Sequence, residues 1–140
     1  MSAPHPEGAG AAQAMRLALA AAGLQPRDVG YVNLHGTATP SNDAAEDKAM
    51  RTVFGEMGVA CSSTKGATGH ALGAAGALEA LVCMLALEHQ FLPGGLNRQP
   101  PDPALQLQYV DTSRSAALRH VMSNSFGFGG SNASLIFAAA

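Results

Sequence analysis

At 140 residues the chain is the size of one domain and long enough to bury a core. Apolar residues make up 47% and charged residues only 13%, too few to cover a free-standing domain, so part of the surface is expected to be buried against another chain or another part of a longer one. The formal net charge is −2 with eight scattered Lys and Arg, which leaves no electrostatic footprint for nucleic acid or anionic lipid. Cys61 and Cys83 sit in apolar surroundings without metal-type spacing and read as buried, reduced thiols of a cytoplasmic protein.

The first predicted element is an amphipathic helix. Met15, Ala18, Leu19 and Ala22 fall at helical spacing, Gly23 is the stop signal and Pro26 lies just beyond. Arg16 inside the run and Glu7 ahead of it argue against a secretory signal. "VGYVNLH" is rich in β-branched and aromatic residues and reads as a buried strand ending at His35, with "GTATPSND" a loop. The stretch "DAAEDKAMRTVFGEMG" is helical, with Ala45, Ala49 and Val53 on one face, Gly55 as stop, and Asp43 and Glu46 at capping-box spacing. "GVACSST" is a short strand. An apolar helix follows from about Ala71 to His89, flawed as a membrane span by its length and by Glu79.

"FLPGGLNRQPPDP" reads as a long surface loop. The chain closes as a strand over 117–124, a glycine turn and a strand over 133–138. Strands alternating with helices predict an α/β layered architecture with neither internal repeat nor linker.

Two histidines stand out. His35 closes a strand, where ligands gather in open α/β sheets, although a structural role is the commoner fate of such a residue. His70 precedes the apolar helix, whose N-terminal field disfavours imidazolium; a neutral ring there can donate to an oxyanion, act as a base, or cap the helix. Glu79 within that helix needs a cation, and Lys65 is the candidate. Gly73 and Gly76, costing roughly 1 kcal/mol each relative to alanine, suggest close approach of another backbone. In "NSFGFGGSN" the turn around Gly127, Gly129 and Gly130 can aim amides at an anion. It precedes a strand and lacks dinucleotide-fingerprint spacing, and "TKGATGH" lacks phosphate-loop order. No pair among His35, Cys61, His70 and Cys83 has zinc-ligand spacing, so no metal is expected.

Together, "NLHGTATPSNDAAED", "SSTKGATGHALGAAGALEA" and "NSFGFGGSNASLIF" resemble the C-terminal half of the β-ketoacyl-acyl carrier protein synthases, over essentially the whole chain and in the family's order. "PHPEGAGAAQAM" resembles a segment between that family's two halves. The resemblance implies one domain over residues 1–140: the C-terminal half of a thiolase-like α/β/α/β/α fold, with a mixed sheet and a buried, glycine-rich central helix. It implies an acyltransferase that joins acyl and malonyl thioesters by decarboxylative Claisen condensation, in fatty acid or polyketide synthesis. His35 and His70 match the family's paired histidines, Lys65 its active-site lysine and Glu79 that lysine's partner. Asp43 and Glu46 match acidic positions after the histidine loop. Phe128 matches a gating phenylalanine whose backbone N–H helps form an oxyanion hole.

The family's nucleophilic cysteine belongs to an N-terminal half that these residues do not match, and Cys61 in "ACSST" is a poor substitute. No free organic cofactor is implied, since acyl groups arrive on the phosphopantetheine of acyl carrier protein. The implied partners are that carrier protein and the nucleophile-bearing half or a synthase chain, in a homo- or hetero-oligomer. The alternatives are a non-catalytic interaction module for carrier protein or synthase, and a malonyl-thioester decarboxylase only.

Overall fold

A computed structural model describes residues 4–97, 100 and 102–139. Among these, a five-stranded mixed sheet is sandwiched between helices. The strands are β1 (Tyr31–Asn33), β2 (Ala60–Ser62), β3 (Phe91–Leu92), β4 (Gln108–Tyr109), β5 (Arg114–Ser115), β6 (His120–Phe126) and β7 (Asn132–Ala138). The main sheet runs β4-β2-β1-β6-β7, parallel throughout except for the β6–β7 hairpin, while β3 and β5 form a small antiparallel pair. The helices are α1 (Ala9–Ala22), α2 (Pro40–Phe54), the single turn α3 (Lys65–Thr68) and α4 (Ala75–His89).

Side-chain alternation along the strands sorts the core into two faces. Val32 and Met122 point toward α1 and α2, where they meet Met15, Leu19, Ala49 and Met50. Tyr31 and Val121 point the other way, onto Cys83, Ala86 and Leu87 of α4. Both cysteines are buried thiols outside any disulfide; Cys61 lies on the α1–α2 side and Cys83 on the α4 side.

The expected elements are present, with informative shifts. Gly23 adopts the left-handed conformation expected of a C-cap, but Ala22 is exposed rather than part of the buried face. β1 ends at Asn33, so His35 stands beyond the strand. The capping box at Asp43 and Glu46 does not form. Thr39 is the N-cap of α2 and Pro40 opens the helix, which leaves Glu46 in the second turn to reach elsewhere. The apolar helix begins at Ala75, not near Ala71, because Leu72–Ala74 winds as a separate 3₁₀ turn. The last two strands begin three residues and one residue away from the expected starts, at His120 and Asn132. β3, β4 and β5 are too short to leave a periodic signal in the sequence. Arg98, Gln99 and Pro101 of the expected loop lie outside the described residues.

α4 buries Ala75, Glu79, Cys83, Ala86 and Leu87, yet leaves Leu78, Leu81, Met84 and Leu85 exposed. The segment Leu72–His89 has a mean hydropathy of 1.4, long and apolar enough to cross a membrane by length and composition. Its charged Glu79 turns inward to the sheet side, as in a core helix. A Cβ on Gly73 would face open space and one on Gly76 would meet the Ser125 hydroxyl at 3.3 Å, so among the described residues no backbone packs closely on either glycine.

Candidate active site

Because β1, β2 and β6 are parallel, their carboxyl ends share one edge of the sheet. Beyond that edge, the chain after β1 carries His35, the chain after β2 carries Lys65 and His70, and the chain after β6 carries Phe128. Three separate stretches of sequence thereby converge.

The rings of His35 and His70 meet edge to face, with centroids 5.5 Å apart and planes at 85°. Lys65 lies behind them. Its ammonium donates to the His35 carbonyl at 2.5 Å and forms a hydrogen-bonded ion pair with Glu79, both side chains being nearly inaccessible. The Ser125 hydroxyl adds a 3.5 Å contact to the other Glu79 oxygen. The expected Lys65–Glu79 pairing is therefore present, and it is fastened to the histidine loop.

Glu46 does a different job from the capping one expected. Its two oxygens accept the backbone N–H groups of His35 and Gly36, each at 2.9 Å, which fixes the peptide carrying the first histidine. Burial raises its pKa to about 7 despite those hydrogen bonds. Asp43 is also raised, chiefly by burial, and takes a hydrogen bond from the Ala38 backbone. Neither carboxylate is paired with the imidazoles; both support the loop.

His35 is 8% exposed, and its Nδ1 is buried with no hydrogen-bond partner among the described residues. Burial, then the Lys65 charge, then His70, lower its pKa to about 4, so the ring is neutral at pH 7. His70 is exposed, and its Nδ1 accepts the Leu72 N–H at 3.2 Å. In the neutral ring that bond places the proton on Nε2, free to donate outward. The ring therefore braces the 3₁₀ turn just past it and makes no cap on α4.

Ala38 and Leu72, three and two residues past the histidines, have φ of 58° and 49°. Such left-handed non-glycine residues cost on the order of 1–3 kcal/mol and persist where surroundings hold them, characteristically at functional loops.

Phe128 opens a 3₁₀ turn after β6, its residue 80% exposed. The Gly127 N–H is already spent on Ser131 O at 2.8 Å, so that turn offers fewer free amides than the sequence suggests. The ring packed against His35 is that of Phe126, with centroids 5.9 Å apart. Sequence reasoning passed over Phe126, whose only signal is its place at the end of β6. A cavity of about 300 Å³ lies behind the His35 loop, bounded by Gly36, Ala38, Ser63, Gly66, Leu96 and Tyr109; the imidazoles do not line it.

The family model described as "Beta-ketoacyl synthase, C-terminal domain" matches residues 1–99. The chain belongs to this family. It is 50% identical to a mitochondrial 3-oxoacyl-[acyl-carrier-protein] synthase of Arabidopsis thaliana, over 96% of this chain and 31% of the relative. Among solved structures it resembles a ketosynthase, ApeO, in complex with its chain length factor, ApeC, from Xenorhabdus doucetiae. There the TM-score is 0.92 and the identity 49%, covering 100% of this chain and 36% of that one. It also resembles a type II polyketide synthase assembly, AntDE:AntF, in which an acyl-carrier protein is in complex with its ketosynthase bound to the hexaketide; the TM-score is 0.94 and the identity 33%, covering 100% and 35% of the two chains. The fold is accordingly that of the C-terminal half of a thiolase-like layered α/β structure. This chain of the β-ketoacyl synthase family spans about a third of the length of the relatives it matches.

The two buried loop groups oppose one another in pH dependence. Glu46 binds its proton more tightly in the fold than an ordinary glutamate, whose pKa is 4.5, so its contribution to stability declines as pH rises from 4.5 to about 7. His35 is depressed below 6.5, so its contribution is present above 6.5 and is lost as pH falls toward about 4. The Glu46→Gln variant is therefore expected to gain stability relative to the parent as pH rises through 4.5–7, over and above a constant loss from the altered clamp. Urea midpoints at the two ends of that window test this; an identical difference at both ends defeats it.

Proposed function

We propose that this chain supplies the decarboxylating part of a β-ketoacyl-acyl carrier protein synthase site. The observation that carries the reading is the pair of imidazoles 5.5 Å apart, backed by a buried Lys65–Glu79 pair, at the carboxyl edge of the sheet. The names of the similar proteins support the reaction class.

In this reading a malonyl unit arrives on the pantetheine arm of an acyl carrier protein, and no free cofactor enters. His35, neutral at pH 7, and His70, through its outward Nε2–H, each donate an N–H to the thioester oxygen. The bond from the α-carbon to the carboxylate breaks, carbon dioxide leaves, and the electron pair passes into an enolate whose oxyanion the two rings hold. The α-carbon then attacks an acyl thioester on a cysteine; the new C–C bond forms and the cysteine thiolate departs. The Phe128 N–H faces the oxyanion of that second step. Lys65, held by Glu79, fixes the His35 carbonyl, and Asp43 and Glu46 hold the loop. The nucleophile comes from outside this chain: Cys61 is buried in the core, and burial pushes the Cys83 thiol up to about 12. The carrier protein, the nucleophile-bearing part and a cytoplasmic setting belong to the same proposal.

Carbon dioxide release from a malonyl thioester tests it. His70→Ala is expected to lower the rate by about 10²–10³, the usual cost of one oxyanion donor, whereas Cys61→Ala leaves it unchanged. The reverse pattern would sink the assignment of both residues. The exposed apolar stripe of α4 favours a second reading, a non-catalytic module that binds a synthase chain; association without any carbon dioxide release would select it.

A further inference from the structure

His35 and the Lys65–His70 stretch follow different strands, and their relative placement decides whether the two imidazoles can share one oxygen. Ser63, the residue just after β2, joins them. Its hydroxyl donates to the Gly36 carbonyl at 2.9 Å and accepts the Lys65 N–H at 3.3 Å, so one oxygen ties the peptide after His35 to the backbone of Lys65. Ser63 is 8% exposed, which shields both bonds from water. Its own backbone is held from behind, its N–H donating to the Tyr109 hydroxyl at 3.2 Å. Gly36 makes the approach feasible: φ is +42°, and a Cβ placed there would lie 2.5 Å from the Ser63 Cβ.

Packing cannot replace this link. The cavity of about 300 Å³ adjoins Gly36, Ala38 and Ser63, so the rear of the loop lacks the contacts that would hold a wandering peptide. Glu46 grips the loop from α2, but it does not touch the stretch that bears Lys65 and His70. Among the described residues the two are also tied by the Lys65 ammonium on the His35 carbonyl and by the ring contact itself.

We infer that Ser63 is a positioning residue that sets the spacing between the His35 and His70 loops through the hydrogen bonds of its hydroxyl to Gly36 and Lys65. Its catalytic consequence rests on the function proposed above; its structural consequence does not.

The test uses this chain labelled with ¹⁵N-histidine, together with carbon dioxide release from a malonyl thioester. In Ser63→Ala the imidazole ¹⁵N signals of His35 and His70 are expected to shift or broaden together, while those of His89 and His120 stay in place. Release is expected to fall roughly 10- to 100-fold, the penalty of a misplacement near 1 Å, with KM nearly unchanged. Gly36→Ala, which pushes the same two residues apart, should move the same signals, and adding Ser63→Ala to it should move them little further, a non-additivity expected only of residues acting through one link. Should Ser63→Ala fail to fold, Ser63→Cys keeps the volume, weakens both bonds and is read in the same way. Displaced ring signals in a chain whose parent releases no carbon dioxide would uphold the link and defeat the proposed function. Unmoved signals, or additive effects of the two substitutions, would overturn the role of Ser63 whatever the activity.

Discussion

Lys65→Met is expected to destabilise the fold by about 3–5 kcal/mol, the usual cost of stranding one member of a buried ion pair. Glu79 is 3% exposed, and without the ammonium its carboxylate keeps, among the described residues, only the Ser125 hydroxyl at 3.5 Å. The His35 carbonyl loses its 2.5 Å donor at the same time, so the loss spreads from α4 to the first histidine loop. Removing both charges together, as Lys65→Met with Glu79→Leu, should recover most of that stability, because a buried pair replaced by apolar groups of similar volume is often neutral. Urea unfolding of the single and double variants at one protein concentration decides the matter. A single variant within about 1 kcal/mol of the parent, the size of a surface pair, would show that the pair is not buried in solution. The double variant is nonetheless expected to lack any carbon dioxide release, which separates the stabilising role of the pair from its place in the site.

The second large effect concerns α4. Ala74, Ala77, Leu78, Leu81, Met84 and Leu85 are exposed along a stripe at helical spacing, with the opposite face of the same helix packed on β6 and β7. A helix apolar on all sides is built to be covered on all sides, and monomers rarely expose contiguous apolar patches larger than a few hundred Å². The chain on its own is therefore expected to self-associate through this stripe, with a thermal midpoint that rises with protein concentration. Leu81→Glu combined with Leu85→Glu should yield a monomer at the same concentrations without disturbing the inward residues Glu79 and Cys83. Sedimentation and thermal melts across a range of concentrations check both statements. A parent chain that is monomeric and melts sharply at a concentration-independent temperature would defeat them.

How far the sequence reveals this molecule depends on the range over which each feature acts. α1 is legible because Met15, Leu19 and Gly23 lie within a few turns of one another, and periodicity and stop signal report the same local geometry. The Lys65–Glu79 pair is legible because a carboxylate in an apolar run has few neighbours in sequence able to neutralise it. The start of α4 is not. Leu72 adopts a left-handed φ of 49° that no propensity favours, and the 3₁₀ turn it opens costs the expected helix its first residues. Glu46 shows the opposite failure. Its distance from Asp43 fits a capping box, but Pro40 moves the helix start upstream, and the carboxylate is free to hold a peptide eleven residues behind it. Ser63 leaves no signal in sequence and Phe126 only its place at the end of a strand, because their roles exist only where strands from distant parts of the chain end side by side.

A ribosome delivers α4 before the strands on which it lies. β1 pairs on one side with β6, whose residues are made after α4, and β6 supplies much of the surface on which α4 lies. At about 5–20 residues per second, the stretch from His89 to Phe126 takes on the order of seconds to synthesise. During that interval α4 lacks its strand floor, so the face of this apolar helix that carries Cys83, Ala86 and Leu87 emerges bare. The arrangement of strands thus sets a waiting time before this helix is sheltered, and makes the nascent chain a client for whatever holds apolar segments apart in the cell.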